Sequence, residues 1–360
     1  MKTTKTLIAL AVGLCSLNAY AADSESLTQQ IETLTQRIQQ LEESDSSATA
    51  AFPNGSMKIY GTFRTKFAMN EKGHGDADDS WDVSDNSSRM GLIAKTDFGH
   101  GWGAIAQGEW HVKLGGDGSF GTKARKAYAG ITSPYGQVAI GKQRSAQYLI
   151  VAEYTNIFNH NGAPFAYDEE GLFHTGNLLT WRGKTGDFEW MLDTQFDETD
   201  DGANIINAAV GYDFGKMHLG IGYIKQDLLE GGDNLGKQDT LGGVISYTFS
   251  NDIYLAAAYH AKEYNYDLGG KGRSGGALDT GLVVPFGDGF NFLTGYFQFK
   301  DGIDTVESKN YTGYNVSLEY FIAKNGKVFV EYLTYDHENM AEDQIFSVGF
   351  RYDFKYFWDK

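Results

Sequence analysis

Cysteine is almost missing from this chain: one in 360 residues, Cys15, inside an N-terminal apolar stretch. No disulfide framework can therefore hold the fold together. Basic residues are also scarce, 30 against 47 acids, which argues against a nucleic-acid partner, since that would call for a basic face. Long hydrophobic runs are absent beyond the first 21 residues. No later stretch approaches the ~18 apolar residues of a membrane helix, and mean hydropathy is −0.38. Hydropathy alone would describe a soluble acidic protein. The rest of the composition disagrees. Forty-five glycines, 22 tyrosines and 23 phenylalanines, with only four prolines, suit many strands with aromatic ends and tight turns.

Residues 1–21 read as a secretory signal. Lys2 and Lys5 form the charged start, LIALAVGLCSL the apolar core, and Ala19-Tyr20-Ala21 a small-x-small cleavage site. The apolar core is too short to span ~30 Å of hydrocarbon. Leu14, just before Cys15, is bulkier than lipoprotein processing accepts. Cleavage removes two lysines and no acid, leaving 28 basic and 47 acidic residues, net −19.

Residues 22–43 are expected to form a helix with a coiled-coil seam. Leu27, Ile31, Leu34, Ile38 and Leu41 are spaced 4, 3, 4, 3, which puts Ile at a and Leu at d of a heptad. Arg37 falls at g and Glu42 at the following e, the geometry of an interchain salt bridge. An amphipathic helix lying on its own domain is the alternative, but the stripe is narrow. At ~30 Å the coil is marginal alone, so the oligomer it is tethered to would set its stoichiometry. Residues 44–56 are small, polar and end in Pro and Gly, and read as a linker.

From residue 57 to 360 sixteen segments alternate apolar and polar residues. Seven tight turns, most bearing Gly or Asn, alternate with eight longer, acidic, glycine-rich connections, so all the tight turns fall at one end. In 57–67, Ile59, Phe63 and Phe67 share one face, while Lys58, Thr62, Arg64 and Lys66 share the other. In 344–354, Phe346, Val348, Phe350, Tyr352 and Phe354 oppose Ser347, Arg351 and Asp353. Sixteen strands enclose more volume than side chains can fill, so the charged face must line a wet interior and the aromatic face must meet lipid. The predicted fold is all-β: a closed sixteen-stranded antiparallel transmembrane barrel, the short helix preceding it. The alternation stops only at 149–173, LIVAEYTNIFNHNGAPFAYDEEGLF, with its acidic triplet Asp168, Glu169 and Glu170. So long an insertion in a repetitive pattern reads as a functional loop folded into the barrel.

Three stretches carry a resemblance. GTKARKAYAGITSPYGQVAIGKQRS (121–145), with the inserted loop and HTGNLLTWRG (174–183) after it, resembles the general porins of Gram-negative outer membranes. SSRMGLIAKTDFG (87–99) resembles their second strand, and FSVGFRYDF (346–354) their closing strand, the signal read by the barrel-assembly machinery. The resemblance covers roughly residues 57–354. It implies a homotrimer in outer-membrane lipid and lipopolysaccharide, each pore narrowed by its third extracellular loop and each loop faced by wall arginines. By motif, Arg89 and Arg125 match the wall positions, with Lys123 on the same face. His174 stands where relatives often carry another arginine. Ala163-Pro164-Phe165-Ala166 replaces the usual Pro-Glu-Phe-Gly-Gly, and the coil is an addition to the best-known members.

The expected function is passive diffusion of small hydrophilic solutes and ions. Arg89, Lys123 and Arg125 on the wall would face Asp168, Glu169 and Glu170 on the loop, setting a transverse field. His174 completes the constriction, and Lys58, Arg64 and Arg182 continue the wall. A net charge of −19 would favour cations wherever the acids line the path. Two alternatives stand beside this reading. One is a substrate-specific porin, passing an oligosaccharide or small organic ion along Tyr148, Tyr154, Phe158, Phe165 and Tyr167. The other is a structural tether, its periplasmic coil binding peptidoglycan or a periplasmic protein. Asp76, Asp78, Asp79, Asp82 and Asp85 invite a Ca²⁺ reading, but the EF-hand's Gly and Glu are missing. No G-x-S-x-G or H-E-x-x-H occurs and the eight histidines lack metal-ligand spacing, so no enzyme, metal or cofactor is expected.

Overall fold

The computed structural model describes residues 54–72, 80–114, 118–159, 165–196, 204–230, 233–267, 272–339 and 342–359. The expected signal, coil and most of the linker lie outside the described residues.

Seventeen strand segments follow in chain order. They are β1 (Gly55–Lys72), β2 (Ser80–Asp85), β3 (Arg89–Gly99), β4 (Trp102–Val112), β5 (Phe120–Ser133) and β6 (Gly136–Arg144). After the inserted loop come β7 (His174–Thr185), β8 (Phe188–Gln195), β9 (Ile205–Phe214), β10 (Met217–Glu230), β11 (Asp233–Thr248) and β12 (Tyr254–Tyr266). The set ends with β13 (Arg273–Phe286), β14 (Phe290–Lys300), β15 (Tyr311–Ala323), β16 (Gly326–His337) and β17 (Asp343–Asp359). β2 and β3 both pair with β1, one above the other, so they are two halves of one stave and the barrel has sixteen. Every neighbour pair is antiparallel. β1 closes on β17 without a register break, from Ser56 opposite Asp359 to Lys72 opposite Asp343. Residues 355–359 thus extend the last strand and complete the seam.

Alternation sorts the side chains as expected. In β9, Ile205, Asn207 and Ala209 are buried inward, while Ile206, Ala208 and Val210 face outward and are exposed. The exposed outward set is apolar and aromatic all round the barrel, Trp102, Phe188, Tyr212, Ile245, Phe292 and Trp358 among it. Lipid is the solvent that makes such a surface stable. Three of the tight turns carry their strained backbone on glycine, with φ of 56° at Gly186, 62° at Gly215 and 55° at Gly287.

The strands run further toward the long-loop end than alternation shows. β10 and β11 continue to Glu230 and Asp233, and β2 extends the pairing with β1 up to Ser80 opposite Asn70. Past the apolar band both faces of a hairpin meet water, so pairing persists while hydrophobic period disappears.

Candidate pore constriction

The inserted loop begins at Ser145. Its hydroxyl accepts from Tyr148 N at 3.2 Å and caps a short helix, α1 (Ala146–Ile150). Two 3-10 turns follow, Ala152–Tyr154 and Ala166–Glu169. Ser145 N donates to Phe173 O at 3.2 Å, so the ends of the loop meet.

The barrel wall anchors the loop from within. Asp193 on β8 accepts from Ala146 N at 2.5 Å, and Arg182 on β7 bridges Asp193 (2.9 Å) and Arg144 O (2.7 Å). Gln147 Nε2 donates to Gly222 O at 2.9 Å, and Tyr254 OH to Tyr154 O at 2.7 Å. Asp279 on β13 accepts from both Ala166 N (2.8 Å) and Tyr167 N (3.0 Å). Asn159 donates from its backbone to Glu331 at 3.1 Å and from its side chain to Glu319 at 2.6 Å. Ala146, Ile150 and Val151 pack against Ala209, Val244 and Ala258 in an apolar seam. The wall is bare where the loop presses hardest: a Cβ at Gly220 would stand 2.3 Å from Ile150 O.

Glu189, Asp213 and His218 are a cluster, among the described residues, close enough to hold a metal. His218 already contacts Asp213 at 2.8 Å and Ile150 O at 3.1 Å, Lys184 takes Asp213 at 2.8 Å, and the Tyr154 ring stacks on the imidazole. These contacts make it another anchor of the loop.

Between loop and opposite wall lies a cavity of about 620 Å³. Five arginines line it: Arg64 (β1), Arg89 (β3), Arg125 (β5), Arg144 (β6) and Arg351 (β17). Two carboxylates of the loop face them, Glu153 and Asp168. Glu153 pairs with Arg144 at 2.5 Å. Arg64 and Arg351 stand directly opposite in register, a like-charge pair that is unfavourable by itself. Beneath them Glu109, only 2% exposed, accepts from Tyr60 OH at 2.8 Å, Arg125 Nε at 3.0 Å and Lys126 Nζ at 3.4 Å, with Arg89 Nε at 4.0 Å. Arg125 also meets His111 Nε2 at 3.0 Å, and since a guanidinium only donates, that nitrogen accepts.

The remaining expected residues are distributed as follows. Asp168 is in the cavity, whereas Glu169 and Glu170 are not among its lining. Glu170 reaches wall groups on β11 and β12, pairing with Lys262 at 3.3 Å and accepting from Tyr264. Lys123 is exposed, nearer the long-loop end of β5, and outside the cavity lining. His174 pairs in register with Arg144 and packs edge-on against Phe173. Lys58 sits over the rings of Tyr60 and Phe357, and Arg182 is committed to the loop's base. Tyr167 is fully packed, with its hydroxyl pKa pushed up by burial. Enclosure by the barrel likewise pushes the Asp168 carboxyl above its ordinary value, against the pull of Arg125.

Glu109, Arg144, Glu153 and Arg351 are absent from the expected constriction. Parity carried a signal for two of them, since Glu109 shares a face with Gln107 and His111, and Arg351 with Ser347. Lys126 had none. Ala124 pairs Trp110 and Lys126 pairs Glu109, so Arg125 is the extra residue of a bulge that turns two consecutive cations toward one carboxylate.

The barrel, its inward loop and this charged throat define a channel of the porin class. Residues 9–355 match the Gram-negative porin family, so the chain belongs to that family. It is an outer-membrane diffusion channel. Porin-like protein L of Photobacterium profundum is 27% identical over 297 residues, 76% of this chain and 83% of that protein. Among solved structures, the anion-selective porin of Comamonas acidovorans aligns with a TM-score of 0.68 at 18% identity, over 83% of this chain and all of that one. The trimer form of OmpT from Vibrio cholerae aligns at 0.67 and 18%, over 84% of this chain and all of that one.

Proposed function

We propose that the throat is an electrostatic filter for small hydrophilic solutes and that it favours anions. One observation carries this: five arginines share a cavity with two carboxylates, and one of those carboxylates is already paired with Arg144. Small polar solutes keep their hydrogen bonds in such a field, while uncharged apolar ones lose ordered water and gain nothing. The chain's overall negative charge is not what sets the path's preference, because exposed charges farther away than a Debye length of ~10 Å at 0.1 M salt are largely screened and the groups lining the throat act at short range. A homotrimer is the assembly this reading takes, in keeping with the trimer form of the Vibrio protein. The test is planar-bilayer recording of the purified protein across a KCl gradient. A reversal potential on the chloride side and three equal steps per insertion are expected. A potassium-side potential would overturn the anion reading.

A further inference from the structure

The cavity that holds the arginines has a second wall, and it is aromatic. Phe158, Phe165 and Phe173 of the loop line the same space and are only half-buried, so each leaves ring surface in the wet throat. Exposing apolar surface to water is unfavourable, and a filter for hydrophilic solutes has no use for it. Packing accounts for other rings of the loop: Tyr148 and Tyr167 are 2% and 1% exposed and form its core. The three phenylalanines are held against fixed supports. Phe173 meets Tyr148 edge-on with centroids 4.2 Å apart, and Phe165 does so at 6.5 Å. Phe158 seats on the bare backbone of Gly295, where a Cβ would come within 2.9 Å of its ring.

The charged and aromatic walls are locked to each other. Asn86 donates from its side chain to Asn159 O, next to Phe158, and from its backbone to Arg64 O at 2.8 Å. Arg144 lies over the rings of Tyr148 and Phe173, at 5.1 and 5.6 Å. Arg64 donates to Thr62 Oγ1 at 3.2 Å and faces Arg351; among the described residues it makes no ion pair within 4.0 Å, and the carboxylate that attracts it, Asp353, is already held by Arg351 at 2.9 Å. Two facing guanidiniums that share one carboxylate, Asp353, beside apolar surface without a cover, are a pair of complementary deficits. An anion relieves the first and a flat ring the second.

From this we infer that the throat holds a subsite for aromatic anions, with an aromatic carboxylate as the representative class. The carboxylate sits among the arginines, led by Arg64 and Arg351, and the ring lies on the shelf of Phe158, Phe165 and Phe173. The inference rests on the anion-favouring reading of the throat and adds the body the anion carries.

The test uses the purified full-length protein in planar bilayers, with benzoate, acetate or benzylammonium titrated into KCl and the reduction of single-channel current recorded. Benzoate is expected to half-block at a concentration about tenfold below that of acetate, the effect of burying part of one ring face, and benzylammonium no better than acetate. Phe158→Ala should bring benzoate back to the acetate value, and Phe158→Tyr should retain the difference. If Phe158→Ala does not assemble, the three solutes on the unaltered channel still decide. Equal half-blocking by benzoate and acetate, or block by benzylammonium as strong as by benzoate, overturns the subsite. A potassium-side reversal potential in KCl alone instead overturns the anion reading beneath it.

Discussion

Glu109→Gln removes a carboxylate that three basic side chains share while leaving the shape of the residue in place. Glu109 is 2% exposed and lies 3.0 Å from Arg125 Nε, 3.4 Å from Lys126 Nζ and 4.0 Å from Arg89 Nε. The amide still accepts one hydrogen bond, but the cations lose their common counter-charge. Removing one member of a buried ion pair typically costs ~3–5 kcal/mol. Arg89 and Lys126 keep 18% and 17% exposure to lumen water, so the cost here should fall to about 2 kcal/mol. The same change makes the throat more positive by one charge. For a solute passing on the order of 8 Å away, a unit charge is worth ~0.5 kcal/mol in bulk water, and ~0.2 kcal/mol after screening at 0.1 M salt. Anion entry gains and cation entry loses by that amount, so the chloride-to-potassium permeability ratio should rise about two- to sixfold. Reversal potentials in a KCl gradient read the ratio, and heat unfolding followed by circular dichroism reads the stability. An unchanged ratio together with an unchanged midpoint would refute the role given to this carboxylate.

Three further outcomes test the loop and its charge. Asp279→Asn leaves one of the two backbone donors at Ala166 and Tyr167 facing an amide NH₂. A buried donor left unpaired costs ~1–3 kcal/mol, so hydrogen exchange at 165–170 should quicken with the strands unaffected; unaltered exchange would mean the tether is elsewhere. Gly220→Val drives a side chain into Ile150 O and should lift the loop at ~1–3 kcal/mol of overpacking, changing single-channel conductance; identical conductance would contradict the close approach. Asp168 has a carboxyl pKa raised by enclosure, so it takes up its proton at a higher pH than an ordinary aspartate. Anion preference should therefore climb as pH falls through that raised value, and Asp168→Asn should already have the climbed value at neutral pH and lose that step. A variant that keeps the step assigns it to another group.

The barrel was legible because its physics is local. A strand whose successive side chains meet lipid and water in turn must alternate, and β9 and β17 alternate almost without exception. Arg89 was legible for the same reason, since parity put it on the wet face, and Arg125 was legible through the motif that resembles the porins. Parity failed where the backbone broke step. The bulge at Arg125 brought Lys126 to the wet face beside it, and the extended hairpins of β10 and β11 vanished from the pattern once water lay on both faces. It gave no guidance within 149–173, where the period is lost. Nothing in the order Asp168-Glu169-Glu170 says that the first lines the throat while the third turns to Lys262 and Tyr264.

By itself the sequence determined the class of the fold, the strand count, the aromatic outer surface and the inserted loop. Each of these depends on nearest neighbours and on which solvent a face meets. Only the tertiary structure decided the throat. Arg64, Arg89, Arg125, Arg144 and Arg351 come from five strands of the closed ring, and they share one cavity because β17 returns to β1 and the loop is bound to the far wall by Asp193, Gln147 and Asp279. Charges separated by up to 287 residues meet through barrel closure and hydrogen bonds to backbone, and neither leaves a period in the chain.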